Sequence, residues 1–198
     1  MANIEDMGEP LLLRQATPGE HTAILELIDS VREWLRTIGT DQWEVPWPSE
    51  NGRSKRTLAA IEAGRTWVVR DDVRLAATVT VSPNDHGIWP AENRQDPAAY
   101  VRQLVVNRDY AGQGLGAQLL DWAAIHALRV YGARWVRVDL WTTNTRLHAY
   151  YRRQGFKYCA LSPVHGYPSA VLYQKPTGQI LPPEAPLFSE DPESRELG

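Results

Sequence analysis

The chain has 198 residues, 43% of them hydrophobic, a net charge of -3 and an isoelectric point near 6.0, enough for one domain with a proper core. No basic stripe dominates, which argues against a nucleic-acid scaffold, and no apolar run approaches a membrane span. Cys159 is the only cysteine, so an internal disulfide is excluded. No basic-then-apolar leader precedes Leu11, and a cytoplasmic location is the expectation.

Residues 1–10 are polar without a period and are expected as a flexible N-terminus. Leu11 to Gln15 reads as a short strand. Thr17-Pro18-Gly19-Glu20 then supplies an N-cap, a proline at the first helical position and a glutamate placed for a capping box. Ile24, Leu27, Ile28, Val31, Leu35 and Ile38 recur at helical spacing up to Gly39, and Trp34 falls in step with Val31 and Ile38 as a core residue. A Trp- and Pro-rich loop covers residues 42–49, and a second helix is expected from Arg53 to Ala63. Thr66 to Arg70 and Val73 to Val81 flank Asp71-Asp72 as a hairpin, the second arm alternating with period two. Residues 82–98 form a polar excursion. Tyr100 to Val106 predicts a strand, Leu119 to Tyr131 an amphipathic helix stopped by Gly132, Trp135 to Trp141 a strand, and Asn144 to Gln154 a helix. Phe156 to Tyr158 and Ala170 to Gln174 are the last predicted strands. Residues 11–175 are thus expected as one domain. In residues 176–198, five prolines and many acids predict an unstructured tail.

Gly112-Gln113-Gly114-Leu115-Gly116-Ala117 stands between a strand and a helix. Glycines there let the backbone approach a ligand, and the following helix offers unpaired N–H groups and a partial positive charge to a phosphate. A P-loop would need Gly-Lys-Ser/Thr, whereas Gly114 is followed by Leu115 and Gly116. A dinucleotide fingerprint would need G-x-G-x-x-G, whereas this loop reads G-x-G-x-G. A loop for the pyrophosphate of coenzyme A remains. The segment Leu104 to Gly116 resembles motif A of the GNAT N-acetyltransferase superfamily. Asn144, Tyr151, Gly155 and Phe156 match that family's asparagine, helix tyrosine and Gly-Phe in the pattern N-x6-Y-x3-G-F. Ala111 departs from it, standing where the family usually has Arg or Gln. That removes a phosphate contact and leaves the backbone amides.

The element order and the resemblance together imply a mixed α/β fold, the acyl-CoA N-acyltransferase fold, with a mostly antiparallel sheet of six or seven strands flanked by helices. The strand before the glycine loop and the strand from Trp135 are expected to run parallel, joined by a right-handed crossover helix. The resemblance implies acetyl-CoA as cofactor, held by the amides of Gly112, Gln113, Gly114, Leu115, Gly116 and Ala117. Backbone groups of Leu104, Val105 and Val106, on a strand that splays from its neighbour, would take the pantetheine arm. Asn144 and Tyr151, seven residues apart, share a helix face. Asn144 enters the cofactor set by resemblance and also has a plain role as helix N-cap. Tyr151, with an ordinary pKa of about 10, keeps its proton near neutrality and can donate to the departing sulfur as general acid. A half-buried packing tyrosine is the alternative.

An alkyl amine of pKa about 10.4 is only about a thousandth neutral at pH 7, so a base helps. Relatives place an acid or histidine on the strand before the loop, where alternation here puts Tyr100 and Arg102. Arg102 suits a carboxylate on the acceptor. Asp85, His86 and Glu92 from the polar excursion, or a water relay, are the base candidates. The loop between the first two helices lines the acceptor site in the family, so Trp43 and Trp47 are candidates to hold the acceptor, against simple packing. The five histidines show no metal spacing, His126 and His148 reading as helix-surface residues, and no metal is expected. The expected activity is direct acetyl transfer from acetyl-CoA to a primary amine of a small molecule or peptide. The alternative is a non-catalytic acyl-CoA-binding sensor of the same fold. No nucleic-acid or membrane partner is expected; a homodimer stays open, since dimers are common among similar proteins.

Overall fold

The computed structural model describes residues 11–44 and 47–195; the expected flexible N-terminus, residues 1–10, lies outside them. β1 (Leu11–Gln15) leads through a 3-10 turn (Pro18–Glu20) into α1 (His21–Thr37). The predicted capping box forms on that turn: Thr17 N–H donates to the Glu20 carboxylate at 3.0 Å, which also accepts two bonds from Arg14. α2 (Glu50–Glu62) begins at Glu50 rather than Arg53, because the Ser49 hydroxyl accepts from Gly52 N–H and caps it there. β2 (Thr66–Arg70) and β3 (Leu75–Ser82) form the hairpin. Its second arm starts at Leu75 and not Val73. The Asp71 carboxylate accepts from the amides of Val73 and Arg74, widening the turn and turning Val73 out to solvent. β4 (Ala98–Val106), α3 (Leu115–Tyr131), β5 (Trp135–Leu140), α4 (Thr145–Arg153), β6 (Lys157–Leu161) and β7 (Val171–Pro176) follow in the predicted order.

The tail departs from expectation. Phe188–Glu190 is a strand, β8, and Pro192–Arg195 a short helix, α5. Asp191 N–H donates to the Leu13 carbonyl at 2.8 Å, and Leu187 N–H donates to the Gln118 side chain at 2.8 Å. Leu187 and Phe188 pack on the main core. Proline and acid content describe the rest of this segment, but two adjacent apolar side chains are enough to dock it.

The described strands form one eight-stranded sheet, ordered β6-β7-β5-β4-β3-β2-β1-β8. It is one strand wider than the upper expectation because of β8. Most neighbours are antiparallel, while β4–β5 and β1–β8 run parallel. Alternation along β2 sorts the two faces. Val68 joins Ile24, Leu27 and Ile28 of α1 and Ile61 of α2, while Trp67 and Val69 join Leu119, Leu120 and Ala123 of α3. Leu147, Tyr150 and Tyr151 of α4 pack into that second cluster.

Two aromatic placements correct the sequence reading. Trp34 is half-buried, not core, with the Arg108 guanidinium 3.6 Å over its ring. His126 is buried instead of lying on the helix surface. It stacks on Trp122 with ring centroids 4.9 Å apart and meets Trp67 and Tyr131 edge-on. His126 follows Leu119, Trp122 and Ala123 at helical spacing and so falls on the buried face of α3. Burial first, and then the charge of Arg129, push the His126 pKa down to about 4. Among the described residues no helix is long and apolar enough to cross a membrane.

Candidate active site

β4 and β5 pair only through Ala98↔Trp135, Ala99↔Val136 and Tyr100↔Arg137, although β4 continues to Val106 and β5 to Leu140. Beyond Tyr100 the strands part. The cause lies in β4: its register against β3 slips between Thr78↔Val105 and Thr80↔Arg102, with Gln103 in a left-handed conformation at φ 49°. A bulge of this kind bends its strand. Gln103 holds the strained backbone in place by donating to the Thr57 hydroxyl at 2.7 Å. The wedge between the strands is a cavity of about 490 Å³, closed by α2, α4 and the loop between α1 and α2.

Of the candidates, Trp43, Trp47, Arg102, Leu104, Val105 and Tyr151 meet in this cavity. Tyr100, expected beside Arg102, is buried instead in a satellite cluster, where its ring packs edge-on against Trp89 and its hydroxyl accepts from Arg137. Tyr151 is 7% exposed and edge-on to Phe156, and burial holds its pKa well above the ordinary tyrosine value.

The glycine loop stands apart from the cavity, at the head of α3. Gly114 caps that helix at φ 90°, a conformation glycine adopts without strain. The amides of Leu115 and Gly116 open the helix and have no carbonyl one turn back to reach. The Ala117 amide is already paired, donating to the Gly114 carbonyl at 3.0 Å. A Cβ on Gly116 would stand 3.0 Å from the Tyr150 hydroxyl and 3.5 Å from Val106. Glycine is therefore what brings the loop, the end of β4 and α4 into close approach. Tyr150, and not Tyr151, reaches the loop.

Asn144 also lies outside the cavity. Its side-chain oxygen accepts from Leu147 N–H at 3.0 Å, capping α4, and its amide donates to Gln42 at 2.6 Å. Next to it Asp41 accepts from the Trp141 indole at 3.0 Å and from the Thr143 hydroxyl. These bonds strap the α1–α2 loop to the end of β5 and so hold Trp43 and Trp47 over the cavity.

Among the base candidates only His86 lines the cavity. Burial, then the charges of Arg102, Arg65 and Arg56, lower its pKa. Asp85 instead caps its own turn by accepting from Gly87 and Trp89 amides, and pairs with Arg94 at 2.8 Å; Glu92 sits on an exposed 3-10 segment. The structure adds Asp139, Tyr167 and Arg56, which sequence reasoning missed. Asp139 accepts from the Tyr167 hydroxyl at 2.5 Å and faces Arg102 Nε at 3.3 Å. Tyr167 lies edge-on to Trp47 at 4.8 Å, and the Arg56 guanidinium donates to the Trp47 carbonyl. Asp139 had one legible signal, a lone carboxylate between Val138 and Leu140. Tyr167 and Arg56 had none.

A sheet opened between two parallel strands, with a glycine-capped helix leading from one to the other, is the mixed α/β arrangement that the resemblance implied. The model of the acetyltransferase (GNAT) family matches residues 28–156, and the chain belongs to that family. The uncharacterized N-acetyltransferase YesJ of Bacillus subtilis is 31% identical over 140 residues, spanning 69% of this chain and 76% of its own. The S-alkylcysteine N-acetyltransferase of the same organism is 26% identical over 154 residues, spanning 74% and 78%. The crystal structure of a GNAT-family acetyltransferase from Listeria monocytogenes shares the fold. Its TM-score is 0.67 at 23% identity, over 84% of this chain and 94% of that one.

Proposed function

We propose that the protein moves the acetyl group of acetyl-CoA directly onto a primary amine of a small molecule or peptide. One observation carries this reading: the β4–β5 wedge sets a buried tyrosine and an unpaired edge of β4 against a cavity large enough for an acceptor. The residues present fit the cofactor. The backbone of Leu104 to Val106 runs along the opened side of β4, where β5 no longer takes its hydrogen bonds. The free amides at the head of α3, with the positive end of the helix dipole, suit the pyrophosphate on the loop Gly112 to Gly116. Asn144 acts here as a positioning residue, through the cap of α4 and its tie to Gln42.

Bound there, acetyl-CoA would supply an activated acyl carbon for the acceptor nitrogen to attack and a thiolate as leaving group. Tyr151 keeps its proton because burial disfavours the phenolate, and its hydroxyl delivers that proton to the sulfur. His86 and Asp139 are the lining groups able to take the proton the amine loses. Trp43 and Trp47 pack against the acceptor. A non-catalytic sensor would leave the acceptor side of the cavity without a use. The relatives do not fix the acceptor, since only one of the two carries a substrate in its name. The cytoplasmic location expected from the sequence belongs to the same reading.

The test is thermal unfolding with and without acetyl-CoA, in the natural chain and in Gly116→Glu, followed by thiol release on an amine panel. Acetyl-CoA at about a hundred times its Kd stabilises by roughly 2.7 kcal/mol, a rise in Tm of about 5–10 °C. The added carboxylate should abolish the rise. No shift at millimolar acetyl-CoA would sink the reading.

A further inference from the structure

Four arginines line the cavity, Arg53, Arg56, Arg65 and Arg102, against a single carboxylate, Asp139. Arg53 is neutralised by Asp29 at 2.9 Å and Glu50 at 2.6 Å. Arg102 pairs with Asp139 at 3.3 Å and donates to the carbonyls of Asn84 and Asp85. The other Asp139 oxygen accepts from Tyr167. Two guanidinium groups are left over: among the described residues no carboxylate lies within 4.0 Å of Arg56 or Arg65. Arg56 is held in place through its bond to the Trp47 carbonyl, with its guanidinium 5.7 Å from the Trp47 ring centre. Burial first, and then the charges of Arg102, Arg65 and Arg56, lower the pKa of His86 beside them.

This charge is not placed for the phosphates of the cofactor. None of residues 107–137, the glycine loop included, lines the cavity. It faces the acceptor, beside an apolar wall of Trp43, Trp47, Ile88, Trp141 and Leu147. A planar guanidinium in a half-enclosed site matches a carboxylate by two parallel hydrogen bonds and gains more from it there than in open water.

We propose that the acceptor amine also bears a carboxylate, as an amino acid with an apolar side chain does, and that Arg56, together with Arg65, selects it. This inference rests on the acetyl-transfer reading for the amine's chemistry, but its binding half can be measured without turnover.

The experiment pairs leucine, methionine and phenylalanine with their amides as acceptors in an acetylation assay. In parallel, calorimetry measures binding of the corresponding N-acetyl acids and N-acetyl amides to protein saturated with coenzyme A. At least one acid should bind and react about ten- to a hundredfold better than its own amide. Arg56→Gln should erase that preference by lowering the acid far more than the amide, Arg56→Lys should restore part of it, and Arg65→Gln should reduce it. An unchanged Tm of the Arg56 variants shows that the fold is intact. Amides favoured over acids, no binding of any acid, or equal losses for acid and amide in Arg56→Gln would each overturn the proposal. Acid-selective binding without turnover would uphold it and remove the transfer reading; turnover of amides without acid preference would do the reverse.

Discussion

At Tyr151 burial settles protonation and position together. The ring is fixed edge-on against Phe156, and the residue lines the wedge while its neighbour Tyr150 reaches the glycine loop. Desolvation, reinforced by Tyr150 and Asp139, raises the pKa and keeps the phenol protonated around neutral pH. A neutral phenol has a proton to offer and cannot serve as the base. Tyr151→Phe keeps the ring packing and removes the proton, so kcat should fall about a hundredfold while affinity for acetyl-CoA stays within about twofold. Full turnover in that variant, measured with any accepted amine, would remove the general-acid role. The spacing to Gly155-Phe156 singled out Tyr151 from sequence because all of these residues belong to one helix and its end. Asp139 depends on Arg102 and Tyr167, which come from other elements, and no local pattern announces such a meeting.

Elements whose signals are local were legible: the capping box at Thr17, the glycine that heads α3, the asparagine that caps α4. Elements made by distant pairing were not. The bulge at Gln103 is anchored by Thr57 from α2, and nothing around Gln103 in the chain marks a bend. β8 is the larger case. Its prolines and acids hid Leu187 and Phe188, whose docking depends on β1 and α3. Removing residues 185–198 should lose about 3 kcal/mol, from two partly buried apolar side chains and the strand's hydrogen bonds. The Tm should then drop by roughly 6–12 °C. A truncated chain with an unchanged melting curve would return this segment to the role of a loose tail.

For the molecule as a whole, acid is the revealing stress. His126 sits neutral in a cage of aromatic rings with its pKa near 4, against about 6.5 in an unfolded chain. Between those values the unfolded state binds the proton and the folded state does not. Stability is therefore complete above pH 6.5 and declines toward pH 4, by roughly 3 kcal/mol at the limit. Glu20 responds in a lower window. Burial works against its charge, but hydrogen bonds from Arg14, Thr17 and Arg70 outweigh that and hold its carboxyl down to about 2. Its contribution is present above about pH 4.5 and fades as pH falls toward 2. Denaturant midpoints followed from pH 7 to pH 3 should show the first decline between pH 6.5 and 4, and His126→Phe should flatten that portion alone. A flat curve there in the natural chain would mean that His126 is not held neutral. The parallel seam of β1 with β8 has a further consequence, in time rather than energy. It joins segments at opposite ends of the described chain, and closing so long a loop is among the slowest steps a folding chain takes. Until it closes, the outer edge of β1 is an unclaimed template on which a second molecule can add a strand. The hazard of this architecture therefore belongs to the road toward the native state, and the finished molecule no longer shows it.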